Sequence, residues 1–168
     1  MREMFRQATV FNQDLSCWNV SEVTNMKQMF CVASAFNQDL SEWDVDKVTT
    51  MQQMFQQASS FNGDISLWDV DVVTNMKDMF HGASSFNRDI SEWKVPAVTN
   101  MEGMFLGANA FAQDITGWTT WAGLTSTNMF HLAAAWLAAY APITTGDNAH
   151  LGGANTKNGP PSKWEVKS

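Results

Sequence analysis

The sequence predicts an α/β solenoid in which 25-residue coils stack, each with one short strand and one short helix. A Met-Phe pair recurs in fixed phase, beginning at Met4, Met29, Met54, Met79, Met104 and Met129. A repeat of this length cannot bury its own apolar face, so successive repeats must stack into one continuous core. We therefore predict a solenoid of about five and a half repeats over residues 1–140 and an irregular C-terminal capping tail over 141–168.

Each element of the coil follows from the spacing of its apolar residues. Trp18 and Val20 are two residues apart, which places them on one face of a short extended segment. After Val23, apolar residues recur at three- and four-residue steps as far as Ala33, which is the period of an amphipathic helix. The Asn-Gln-Asp corner at 37–39 is suited to the turn that leads into the next strand.

These residues carry a resemblance to a known class of repeats. The order Leu15-x-x-Trp18-x-Val20, with the apolar segment that follows it, resembles the leucine-rich repeats of BspA-like bacterial surface proteins. The phrases FNQDLSCWNVSEVTNM and FNQDLSEWDVDKVTTM are similar to the 25-residue repeats of mycoplasma surface lipoproteins and of proteins from marine bacteria and algae. The resemblance implies a right-handed coil, parallel strands on one face, helices on the other, and a cell-surface or secreted location.

The two ends of the repeat region differ in their sequence. Met1 already stands in a repeat column, so we expect a fragment of a longer protein whose uncapped N-terminal coil could associate end to end. At the other end, residues 131–140 are Ala-rich and apolar nearly all round, which indicates a helix buried on more than one side. Trp164 and Val166 in the tail are candidates to anchor its cover.

Charge and composition exclude several classes of function. The formal net charge is −7, and no Lys/Arg cluster offsets it, so nucleic acid is an unfavourable partner. No apolar run approaches the roughly 20 residues that a membrane span needs. His81, His131 and His150 share no metal-binding spacing, no cofactor motif is present, and no base stands at a fixed offset from a Ser, so we predict no enzyme activity. Cys17 and Cys31 could be free thiols or one disulfide.

A column of tryptophans admits a structural and a functional interpretation. It comprises Trp18, Trp43, Trp68, Trp93 and Trp118. An exposed ladder of rings would bind sugars, but each Trp takes a position that is aliphatic in related repeats, so core packing is favoured. We regard these residues as a structural column.

The acidic and hydroxyl columns are ambiguous in the same way. The acidic column comprises Asp14, Asp39, Asp64, Asp89 and Asp114. It could be a row of calcium sites, but one carboxylate per coil is a poor cage, so a ladder of Asp or Asn oxygens that accept backbone amides at the corners is favoured. The hydroxyl column comprises Thr24, Thr49, Thr74 and Thr99. Ice binding is the alternative for it, and helix capping is the favoured interpretation.

Recognition is expected at the positions that vary between coils, because the invariant positions serve packing. The candidate face comprises Glu42, Asp44, Asp69 and Glu92, beside the predicted strands. We predict a non-catalytic module that recognises a protein or a surface glycan in adhesion. The alternatives are a self-associating structural spacer and, more weakly, a calcium- or ice-binding array.

Overall fold

The computed structural model describes residues 1–120, 123–142 and 164–167. Its named elements are the helix α1, Ala134–Ala139, and the strands β1, Tyr140–Pro142, and β2, Trp164–Val166. The two strands pair antiparallel, with Tyr140 opposite Val166. Isolated parallel bridges link successive repeats elsewhere, through Asn25, Thr50, Asn75, Asn100 and Thr125.

A ladder of backbone hydrogen bonds joins each coil to the next along the Met-Phe segment. The N–H of Phe30 donates to the carbonyl oxygen of Met54 at 2.9 Å, and the N–H of Phe55 donates to that of Met79 at 2.9 Å. The N–H groups of Gln28 and Val32 make equivalent bonds to the following coil. Residues that stand 24 or 25 positions apart are therefore neighbours, as stacked coils require.

The Met-Phe segment is built from turns, which differs from the predicted helix. In the turns at 26–29 and 30–33, the fourth N–H donates to the first carbonyl, at 3.2 and 3.0 Å. The third residue of each turn is left-handed, with φ of 57° at Gln28 and 61° at Val32. An α-helix cannot contain such residues, because left-handed backbone places Cβ too close to the following carbonyl oxygen.

The segment that was predicted as a strand also differs from the prediction. In the coil at 40–45, the N–H of Trp43 donates to the carbonyl oxygen of Leu40 at 3.1 Å, which closes a turn before the extended residues. The coil is thus tighter at this point than a strand would be. The right-handed path and the α/β solenoid class stay predictions.

Aromatic rings fill the centre of the stack in columns. The rings of Phe30 and Phe55 lie 5.5 Å apart at an interplanar angle of 2°, and those of Trp43 and Trp68 lie 6.4 Å apart at 3°. The Met residues at 51, 54, 76 and 79 are fully buried beside them. The core is therefore continuous from coil to coil and made of like residues in contact.

At the C-terminal end, α1 and β2 cover the last described coil. Trp136 of α1 continues the column of Phe111, with ring centroids 5.9 Å apart, and Trp164 of β2 meets Phe130 edge-on at 5.3 Å. Trp164 is buried and Val166 is exposed, so of the two predicted anchors only Trp164 packs inside. The rest of the predicted capping tail, 143–163 and 168, lies outside the described residues.

Candidate functional site

The segment at 40–45 shows how each coil divides its side chains between core and solvent. Leu40, Trp43 and Val45 are buried, whereas Glu42 and Asp44 between them are exposed. The same division recurs one and two coils later, where Asp69 and Glu92 are exposed. The four candidate recognition residues therefore lie on the outward side of segments whose alternate residues hold the core.

The tryptophan column is a packing and hydrogen-bonding column. Trp43, Trp68, Trp93 and Trp118 are at most 3% exposed, and Trp18 in the first coil is 37% exposed. The buried rings each donate Nε1–H to a backbone carbonyl of the preceding coil, for example Trp43 to Leu15 at 3.0 Å. Their indoles are occupied by the stack, so these four rings offer no platform to a ligand.

The aspartate column closes the corners of the coils. Oδ1 of Asp39 accepts the N–H of Ser41 at 2.8 Å, and Oδ1 of Asp64 accepts the N–H of Ser66 at 2.9 Å. The same bond is made by Asp14, Asp89 and Asp114. The hydrogen bonds from Ser66 and, less strongly, the charge of Arg88 hold the pKa of Asp64 below its usual range. Over the residues that the structure describes, no three His, Cys, Asp or Glu side chains come together as potential metal ligands.

The threonine and asparagine columns make ladders between coils. Thr49 donates its hydroxyl to the carbonyl oxygen of Thr24 at 3.1 Å, where we had predicted a helix cap. Oδ1 of Asn37 accepts the N–H of Asn62 at 2.7 Å. The recurrence of Asn at 12, 37, 62 and 87 is the sequence signal of this ladder, in which an Asn oxygen accepts a backbone amide as predicted.

Two of the four candidate recognition residues also serve a turn. Oδ1 of Asp44 accepts the N–H of Asp46 at 3.3 Å, and Oδ1 of Asp69 accepts the N–H of Asp71 at 3.0 Å. Because an asparagine side chain can accept the same bond, the charge of these residues can be removed without opening the turn.

A cavity that was not predicted lies at the corner of the central coils. It is lined by Asn37, Asp39, Asn62, Gly63, Asp64 and Arg88. Gly63 was its only sequence signal, as a lone glycine in a column that otherwise holds Gln or Arg. The thiols of Cys17 and Cys31 are free, with Cys17 exposed and Cys31 buried.

In the described part of the chain, no helix has the length and apolar character to cross a bilayer. Comparison with curated proteins found no match, and comparison with solved structures found none either. A family model described as "Mycoplasma protein of unknown function, DUF285" matches residues 1–71 and 42–141. The two matches overlap and together span the repeats, and the finer resemblance to BspA-like leucine-rich repeats stays a prediction. This chain therefore belongs to the DUF285 family, a family of repeat sequences whose function is unknown.

Proposed function

We propose that this chain is a non-catalytic recognition module that binds a basic protein segment or an amine-bearing glycan through its acidic outward face. The observation that carries the proposal is the alternation of exposed carboxylates with buried Trp and Val at 40–45 and in the coils that follow. The face comprises Glu42, Asp44, Asp69 and Glu92, which we call the acidic face.

The hydrogen bonds of the invariant polar columns support this proposal. The Asp, Asn and Thr side chains that recur in every central coil bond to backbone groups, as Asp39, Asn37 and Thr49 do. Side chains committed to the stack are not the ones that distinguish partners. The positions that vary from coil to coil remain for recognition, which is how repeat proteins divide their sequence.

The resemblance to BspA-like surface repeats supports adhesion as the role and the cell surface or the secreted fraction as the location. An acidic surface suits a partner with exposed Lys, Arg or amino groups, because complementary charge steers association and suppresses wrong partners. The same charge disfavours nucleic acid.

The test is a charge-neutral variant, Glu42→Gln, Asp44→Asn, Asp69→Asn and Glu92→Gln, which keeps side-chain size and the turn acceptors. Binding would be measured to an oligolysine peptide and to immobilised chitosan, at low and high salt. We expect affinity to fall about tenfold, equivalent to about 1.4 kcal/mol, and its salt dependence to weaken.

The control variant removes the same number of charges elsewhere, through Glu3→Gln, Glu22→Gln, Asp78→Asn and Glu102→Gln. The proposal predicts that this control binds as the parent does. If both variants lost the same affinity, net charge and not the acidic face would be responsible. If the first variant bound as tightly as the parent, the acidic face would not be the binding surface.

A second candidate function, a self-associating spacer, is favoured by the first coil. Phe5 and Phe11 are only partly buried, and Trp18 is the one exposed ring of its column among the described residues. An apolar coil face of this kind can stack on another copy. Sedimentation over a range of concentrations would show mass increasing with concentration if the chain associates, and a constant monomer mass would exclude the spacer role.

A further inference from the structure

One corner of the stack contains a cavity of about 320 Å³, and Gly63 is part of its lining. The column of Gly63 holds Gln13, Gln38, Gly63, Arg88 and Gln113. Four of these residues have long polar side chains. The glycine stands in the middle, between Gln38 in the coil before and Arg88 in the coil after.

The long side chains of this column reach back to the preceding coil. Nε2 of Gln38 donates to the carbonyl oxygen of Asn12 at 3.0 Å, and Nε of Arg88 donates to that of Asn62 at 2.6 Å. Gln113 makes the same kind of bond to Asn87. Gly63 has no side chain, so the carbonyl oxygen of Asn37 receives no such donor, and the carbonyl oxygen of Gln38 lies where a Cβ of residue 63 would be.

The walls of the cavity carry charge of both signs. Asp39 and Asp64 each use Oδ1 to accept a backbone N–H, from Ser41 and Ser66, and a carboxylate has further lone pairs to offer. Arg88 is also part of the lining and carries its positive charge. The lining thus offers both carboxylate acceptors and one cationic donor.

We propose that this cavity binds a small zwitterion with a primary ammonium group and a carboxylate, such as a free amino acid. The ammonium group has three donors, which match the Asn37 carbonyl oxygen and the carboxylates of Asp39 and Asp64. The carboxylate of the ligand pairs with Arg88, because a guanidinium binds a carboxylate with two parallel hydrogen bonds. The cavity volume lies at the small end of the range for ligand sites and suits a ligand of this size. The site uses other residues than the acidic face.

The test is a titration of the intact chain with L-alanine, followed through the amide signals of Gly63 and Asn62 in ¹⁵N-correlated NMR spectra. We expect saturable shifts confined to the corner. N-acetyl-L-alanine lacks the ammonium group and L-alaninamide lacks the carboxylate, so both should bind at least about tenfold more weakly. Equal binding of either analogue would overturn the zwitterion proposal, as would the absence of saturable shifts with L-alanine. Saturation of the same amides by Ca²⁺ at lower concentration than by L-alanine would also overturn it, in favour of a metal site.

The same substitution at two corners distinguishes residues that bind the ligand from residues that only close a corner. Asp64→Asn keeps the turn acceptor and removes the charge, and we expect at least about tenfold weaker binding. Asp89→Asn makes the same change one coil away and should leave binding unchanged.

Arg88→Gln introduces the residue found in this column at 13, 38 and 113. It should weaken the binding of L-alanine and leave the binding of L-alaninamide unchanged.

Equal weakening by Asp64→Asn and Asp89→Asn would overturn the proposal. Substitution of Gly63 is not the test, because a Cβ there would lie 2.0 Å from the Gln38 carbonyl oxygen and would force the backbone to move.

Discussion

The indole Nε1 of Trp68 donates a hydrogen bond to the carbonyl oxygen of Leu40, 2.9 Å away and 28 residues earlier in the chain. One side chain thus fills the core of its own coil and satisfies a buried backbone acceptor of the coil before. Trp93 repeats the bond to Ile65 at 3.2 Å. Tryptophan serves here because no aliphatic residue could do both.

Removal of the Trp68 ring should cost about 3–5 kcal/mol of unfolding free energy, because it leaves a cavity between two stacked rings. Trp68→Phe keeps a ring but removes one of the two donors to the Leu40 carbonyl oxygen, which still accepts the N–H of Trp43, so a loss of about 0.5–1.5 kcal/mol is expected. Urea titration measures both values. Trp18→Phe is the control, since Trp18 is exposed, and a loss as large as that of Trp68→Phe would show that the bond is unimportant.

The register of the repeats could be predicted from the sequence, and so could the residues of the core. Trp43, Met29 and Phe30 recur in fixed phase, and only a stacked core explains such strict recurrence of large apolar residues. The acidic face could be predicted too, because Glu42 and Asp44 alternate with buried residues. Successive side chains of an extended segment point to opposite sides, so every second residue lies on the same side.

The turns of the Met-Phe segment could not be predicted, because two consecutive turns imitate the spacing of a helix. Met26 and Met29 begin and end one turn, and Phe30 and Ala33 begin and end the next. The resulting three- and four-residue steps are those of an amphipathic helix. A signal was present at Gly103, which stands in the column of Gln28 with φ of 59°.

The left-handed turns lead to a prediction about glycine. Gln53 has φ of 56°, a conformation that glycine adopts without strain, so Gln53→Gly should be neutral or should stabilise the chain by up to about 1 kcal/mol. The control is Gln52→Gly, whose position is not left-handed, and it should destabilise by about 0.5–1 kcal/mol. Thermal unfolding of the two variants gives the comparison. Destabilisation of the same size in both would contradict the turn geometry.

The corner bonds lead to a prediction about the Asp column. Asp64→Ala removes the acceptor of the Ser66 N–H and should cost about 1 kcal/mol, whereas Asp64→Asn keeps it and should cost less. Both are measured by urea titration. If the alanine and asparagine variants were equally unstable, the charge and not the turn would be the source of the effect.

The pKa values of Asp14, Asp64 and Asp89 are lowered in the folded chain, chiefly by backbone hydrogen bonds from Ser16, Ser66 and Ser91. Since the folded pKa lies below the ordinary value of 3.8, this contribution to stability is present above that pH and is lost as the pH falls below it. The free energy of unfolding should therefore decrease below pH 3.8. That of the Asp64→Asn variant should decrease less steeply with falling pH than that of the parent. Equal slopes for the two proteins would contradict the assignment.

The stack of turns depends on the backbone N–H groups of five Phe residues, each of which donates to a carbonyl oxygen of the next coil: Phe5, Phe30, Phe55, Phe80 and Phe105. Through-hydrogen-bond scalar coupling in ¹³C,¹⁵N-labelled protein observes such bonds directly. The account predicts a coupling from the amide nitrogen of Phe30 to the carbonyl carbon of Met54, and from that of Phe55 to Met79. A coupling from Phe30 to Met26 instead would indicate the i to i−4 bond of a helix and would contradict the stack of turns.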